Sequence, residues 1–107
     1  MNTIKPNKSN ILNFLSEIKA ELLSDGIFEI GLFGSFSRDE ATVYSDIDIA
    51  IRKEHNYLKK RTSYEYFDEL QKIKTLIRQK FHRNIDIFDL DSNSSMKKTI
   101  MKDLIYV

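Results

Sequence analysis

The sequence has no cysteine, one proline and three glycines in 107 residues. Without cysteine there is no disulfide framework, no thiol nucleophile and no thiolate-ligated zinc or iron–sulfur site, a usage that fits a reducing compartment. So little proline and glycine leaves no long flexible linker. Charge of one sign is also missing: 17 Lys and Arg stand against 16 Asp and Glu, so bulk electrostatics gives no footprint for nonspecific DNA or RNA binding. No long apolar run occurs. The segment Met1–Leu23 carries lysines, but Asn13, Ser16, Glu17 and Lys19 interrupt its apolar residues, unlike the core of a signal peptide, and nothing approaches a membrane span. A cytoplasmic location is expected.

What is present describes a globular protein, with 41 % apolar and 31 % charged residues. The length suits a single domain over residues 1–107 with one modest core and no separate substrate-binding domain. Whatever the protein acts on must then be recognised partly by something else.

Apolar periodicity orders the chain. Ile11, Leu12, Phe14, Leu15, Ile18, Leu22 and Leu23 recur at helical spacing, with Ser9 or Asn10 as a starting cap and Gly26 past the end. Ile27–Phe33 reads as a first strand closed by the turn Gly34-Ser35. Asp46–Ile51 alternates, with Ile47, Ile49 and Ile51 on one face and Asp46, Asp48 and Ala50 on the other. From Tyr57 to Phe81 one long amphipathic helix is predicted, presenting Tyr66, Phe67, Leu70, Ile73, Ile77 and Phe81. Asn84–Leu90 alternates again as a third strand, placing Asp86 opposite its isoleucines. Ser92–Ser95 precede a last helix with Met96, Ile100 and Leu104 inward. The predicted fold is α/β (α+β): a small mixed sheet of three or four strands with helices mainly on one face. The long segment between strands two and three permits a parallel crossover, and the short link after strand one favours an antiparallel return.

The chemistry lies in Gly34–Asp48 and Asp86. Carboxylates at i and i+2 on a strand share a face with backbones roughly 6 to 7 Å apart, so Asp46 and Asp48 can converge on hard cations. Mg²⁺ takes one or two protein carboxylates and completes its octahedron with phosphate and water. Asp86 from a neighbouring strand is the candidate third carboxylate of a two-ion site, whereas Asp89 has the wrong parity. Gly34-Ser35 offers backbone N–H groups and a hydroxyl to anionic oxygens, and Arg38, three residues on, lies on the same side of such a turn.

The set Gly34-Ser35-x-x-Arg38, Ser45-Asp46-Ile47-Asp48-Ile49 and Ile85-Asp86-Ile87 resembles the nucleotidyltransferase superfamily of the DNA polymerase β type. In its short length the chain is similar to the minimal nucleotidyltransferases, the antitoxin partners of HEPN-domain toxins. The likeness runs from about Ile27 to the end, where Thr99–Val107 resembles the family's closing helix. It implies a polymerase β-like fold and ATP as substrate. Gly34 and Ser35, with Arg38 and Ser45 beside them, would bind the triphosphate; Asp46 and Asp48 would ligate Mg²⁺; Asp86 would complete the metal site and help deprotonate the acceptor. The implied activity is transfer of AMP to a hydroxyl, such as a tyrosine, of a HEPN toxin. One position departs from the pattern: many relatives have glycine after the motif arginine, and this chain has Asp39.

Other readings fit the residues less well. His55 and His82 have no ligand-like spacing and read as surface or helix-end positions. The basic stretch Arg52–Arg61 reads as a solvated loop and helix start before it reads as a contact for an acidic partner or RNA. No P-loop pattern occurs. The Asp-x-Asp of haloacid-dehalogenase phosphatases is followed by Thr or Val where this chain has Ile49, and those folds, like metal-dependent glycosyltransferases, need longer chains. A non-catalytic antitoxin that masks its partner, and a small-molecule nucleotidyltransferase, are the rival functions.

Overall fold

The structure, a computed structural model, describes residues 4–107. Its elements are α1 (Lys8–Ser24), β1 (Ile27–Phe33), β2 (Ile47–Lys53), α2 (Tyr57–Lys60), α3 (Ser63–Phe81), β3 (Ile85–Asp89), α4 (Lys97–Asp103) and β4 (Ile105–Tyr106). The strands lie in the order β3-β2-β1-β4. β1 runs antiparallel to β2 and to β4, while β2 and β3 are parallel, so the sheet is mixed as predicted.

One face of the sheet is covered by α1 and α3. Ile11, Leu15, Ile18 and Leu22 of α1, spaced by three and four, meet Ile27, Ile30 and Leu32 of β1, Ile47, Ile49 and Ile51 of β2, and Ile73, Ile77 and Phe81 of α3. These isoleucine faces form the main core because strand alternation turns every second residue toward the helices. The opposite face is partly covered by α4, where Ile100 packs with Ala50 and Leu90, and Phe33, Phe88 and Leu104 flank them. Gly31 makes this cover possible: a β-carbon there would stand 2.6 Å from the Ile105 carbonyl oxygen. The end of that face beyond Phe33 and Phe88 is left to Asp48 and Asp86.

Several boundaries differ from the sequence expectation. The cap of α1 is Asn7, whose side chain accepts the Asn10 amide at 2.8 Å, rather than Ser9 or Asn10. Tyr57–Phe81 is two helices, not one. Arg61 and Thr62 are extended between them, and Thr62 starts α3 with a reciprocal cap: its hydroxyl accepts the Glu65 amide at 3.1 Å and the Glu65 carboxylate accepts the Thr62 amide at 3.0 Å. Phe67 of α3 is 64 % exposed instead of inward, because it lies to the side of the face that Tyr66, Ile73 and Ile77 pack against the core. Leu23 and Met96 also face solvent. Thr99–Val107 holds only the end of α4 before the chain turns into β4, the short fourth strand.

Asp89 lies on the α3 side of β3, as its parity requires, and accepts the Tyr66 hydroxyl at 2.6 Å. The basic stretch 52–61 is largely tied up within the fold: Arg52 pairs with Glu29 at 2.7 Å and Arg61 with Glu54 at 2.8 Å. His82 caps α3 in the left-handed conformation, at φ 54, and His55 lies exposed in a turn.

Candidate active site

The site forms where β1 ends, β2 begins and β3 runs alongside. Asp48 and Asp86 are register partners across the parallel β2–β3 pair, and Phe33 is the partner of Asp48 on the β1 side. Asp46 lies one residue before β2 rather than inside it, so strand alternation does not set its direction; its charge nevertheless acts on Asp48. The Asp48 carboxyl is pushed up to about 6, first by burial, then by the negative charges of Asp86 and Asp46, against the lowering influence of Arg38. Three carboxylates thus share one electrostatic neighbourhood in which a positive charge is wanted.

Among the described residues, no three acidic, imidazole or thiol side chains close tightly enough to enclose a cation. What the site offers is hard oxygen donors on adjacent segments, with one raised carboxyl among them. That matches Mg²⁺, which keeps water and substrate phosphate in its shell and needs few protein ligands. Asp46, Asp48 and Asp86 would hold it.

At the end of β1 the chain turns through Gly34, at φ 77, whose backbone packs directly against the Asp48 carboxylate. Residues 35–39 form a single turn, not a full helix: the Arg38 amide donates to the Gly34 carbonyl at 3.1 Å and the Glu40 amide to the Ser35 carbonyl at 2.8 Å. Phe36 anchors the turn in the main core, and the Ser37 hydroxyl donates to the Asp103 carbonyl at the end of α4. Arg38 is engaged as well, with Nε 2.7 Å from Glu40 and Nη1 2.6 Å from Asp103. Its charge is felt at Asp48, but its donors are directed at these two carboxylates.

Asp39 takes the left-handed conformation, at φ 59, that a glycine adopts freely. The turn therefore keeps a glycine-type geometry with an aspartate in it, and Lys8 lies 3.6 Å from the Asp39 carboxylate.

Ser45 is occupied locally. Its hydroxyl accepts the Thr42 amide at 2.8 Å, closing the loop that leads to Asp46. Sequence reasoning missed Arg83, which donates to the Thr42 and Ser45 carbonyls at 3.1 and 2.8 Å. Its only signal was a basic residue just before a strand, which says nothing of a partner so far away in the chain. A groove of about 860 Å³ lies at the other end of the sheet beside Phe28, His55 and Leu58, away from the site carboxylates. A smaller recess of about 360 Å³ borders Asp46 and is lined by Tyr44, Arg78, His82 and Arg83.

Comparison with known proteins places the chain in a family and a fold. The family model described as nucleotidyltransferase domain matches residues 12–107. A Methanocaldococcus jannaschii protein named "Putative protein adenylyltransferase MJ1379" is 38 % identical over 104 residues, covering 87 % of this chain and 97 % of that protein. Among solved structures, one described as a "putative minimal nucleotidyltransferase" superposes with a TM-score of 0.68 at 17 % identity, covering 94 % of this chain and 95 % of the other. A toxin–antitoxin structure with AMP-PNP superposes with a TM-score of 0.57 at 21 % identity, covering 94 % and 72 %. These two likenesses establish the polymerase β-like fold. With a family match over nearly its whole length and a relative of this identity, the chain belongs to the nucleotidyltransferase domain family.

Proposed function

We propose that this nucleotidyltransferase transfers AMP from ATP to a hydroxyl of a partner protein. The observation that carries the reading is the pairing of Asp48 with Asp86 across β2–β3, with Asp46 beside them and the Gly34-Ser35 turn packed against Asp48. On this reading the carboxylates and the turn in contact with them are the two halves of a nucleotide site.

In this mechanism the Gly34-Ser35 turn and the Ser35 hydroxyl hold the triphosphate, with Arg38 and Ser45 at its margin. Asp46, Asp48 and Asp86 would hold Mg²⁺, as two ions, which would supply charge neutralisation at the phosphates and activation of the attacking oxygen. Asp86, exposed at the rim, takes the proton from the acceptor hydroxyl. The acceptor oxygen bonds to the α-phosphorus, the bond to the bridging oxygen breaks, and pyrophosphate leaves with the electron pair. Such chemistry is mainly positioning and electrostatics, which a small rigid sheet can provide.

A protein acceptor is favoured because the relative from M. jannaschii carries the name of a protein adenylyltransferase and aligns over nearly its full length. A HEPN toxin as partner, modified on a tyrosine, follows from the motif resemblance and is supported by the toxin–antitoxin likeness. Among the described residues no helix is long and apolar enough to cross a membrane, in keeping with work in the cytoplasm where ATP is available.

The test is incubation with labelled ATP, Mg²⁺ and the candidate partner, followed by intact mass measurement, beside the Asp48→Asn variant. Addition of AMP to the partner that vanishes in the variant is the expected result. If the partner is neutralised without gaining mass, the protein acts by masking and the transferase reading fails.

A further inference from the structure

We propose that Arg83 is a positioning residue that sets Asp46 in place, an inference that rests on the proposed role of Asp46 as a metal ligand. Asp46 is exposed, stands outside the β-ladder and, among the described residues, receives no side-chain hydrogen bond. Its position must come from the loop that carries it. That loop has little packing of its own, since Val43 is 75 % and Tyr44 90 % exposed.

The loop is held in two ways. Internally, the Ser45 amide donates to the Thr42 carbonyl at 3.1 Å, and the Tyr44 amide to the Thr42 hydroxyl at 3.2 Å. Externally, Arg83 Nη1 bridges the carbonyls of Thr42 and Ser45, while the next residue, Asn84, accepts the Ile47 amide at 2.9 Å. Residues 83 and 84 therefore grip the chain on both sides of Asp46.

Arg83 also stacks over Phe36, its guanidinium carbon 5.6 Å from the ring centroid, within the range of a cation–π contact. Phe36 belongs to the phosphate turn. One side chain thus links that turn, the Asp46 loop and the start of the strand that bears Asp86. Among the described residues Arg83 forms no ion pair; its Nη1 donates to carbonyl oxygens. Both bonds come from Nη1 while the planar guanidinium lies over Phe36, and a lysine ammonium reproduces the charge and the donors without the stacked plane.

Residues that orient metal ligands typically change metal affinity 10- to 100-fold when removed, so about tenfold is the expected scale. The experiment measures Mn²⁺ binding by titration calorimetry on the full chain, in the presence of a non-hydrolysable ATP analogue, for the parent, Arg83→Met, Arg83→Lys and the neighbouring Arg78→Met. Hydrogen exchange of residues 42–47 is followed on the same proteins. Arg83→Met should weaken Mn²⁺ binding about tenfold and speed exchange in 42–47 alone, Arg83→Lys should recover part of both, and Arg78→Met should match the parent. Parent-like Mn²⁺ affinity in Arg83→Met, or equal losses in Arg83→Met and Arg78→Met, overturns the proposal. If the parent itself binds no Mn²⁺ with the analogue, the metal-site reading fails. The clip is then judged by exchange alone, where unchanged protection of 42–47 in Arg83→Met refutes it.

Discussion

The carboxylate of Asp48 occupies the space in which any residue but glycine at position 34 would place its β-carbon. Gly34 also has a positive φ of 77°. The proposed phosphate turn and the proposed metal ligand are thus in van der Waals contact. Gly34→Ala incurs the left-handed penalty of about 1–2 kcal/mol and must in addition displace Asp48. We expect its Tm to fall by at least about 4–8 °C, and AMP transfer to be lost even where the protein remains folded, as judged by calorimetry beside a labelled-ATP assay.

Asp48→Asn separates stability from activity. A carboxyl raised in the folded state from its ordinary value to about 6 destabilises the fold when ionised. The penalty is complete above the folded pKa, shrinks as pH falls through it and disappears below the unfolded value. Metal-free Asp48→Asn should therefore melt higher than the parent at about pH 8, with the gap closing by about pH 4, while its transfer activity is abolished. A variant melting lower than the parent at the higher pH would contradict the electrostatic account.

Glu69 offers the same test away from the site. One of its carboxylate oxygens is buried without a hydrogen-bond partner, and the group is pushed up to about 7 by burial and by Asp25, against the influence of Lys72. Lys72 itself is committed to Glu21 and Asp25, at 2.6 and 2.7 Å. Glu69→Gln removes the ionisation and supplies a donor. Its Tm should exceed the parent's at about pH 8 and converge on it by about pH 5, with AMP transfer unchanged.

Asp39→Gly should relieve the left-handed strain at φ 59 and remove a negative charge beside the phosphate turn. Aspartate tolerates this region better than most residues, and the exposed contact with Lys8 contributes at most about 1 kcal/mol, so a small rise in Tm is expected. The KM for ATP should fall, more at low salt than at high salt. Steady-state kinetics at two ionic strengths measures it.

The sheet was legible because Ile47, Ile49 and Ile51 alternate, and because a long link between β2 and β3 permits a crossover. The partnership of Asp48 with Asp86 then followed from two in-phase patterns. Helix phase was harder to read. Phe67 steps by three to Leu70 and so reads as part of the stripe, but it lies about 100° around the helix from Tyr66, which with Ile73 and Ile77 marks the face that packs inward. Asp46 looked like a strand residue because alternation extends one position beyond the hydrogen-bonded ladder. The ties of Arg38 to Asp103 and of Arg83 to the Thr42 loop join distant segments, and no local pattern encodes such pairs.

The parallel register of β2 and β3 also bears on when this protein can first function. Helices such as α1 can form within about a microsecond, but β2 cannot pair with β3 until the whole crossover between them has been laid down. On the ribosome, a chain that has exposed Gly34 and Asp48 still lacks Asp86 and the strand that carries it. On the proposed site, a nascent chain lacks its third carboxylate until β3 has emerged.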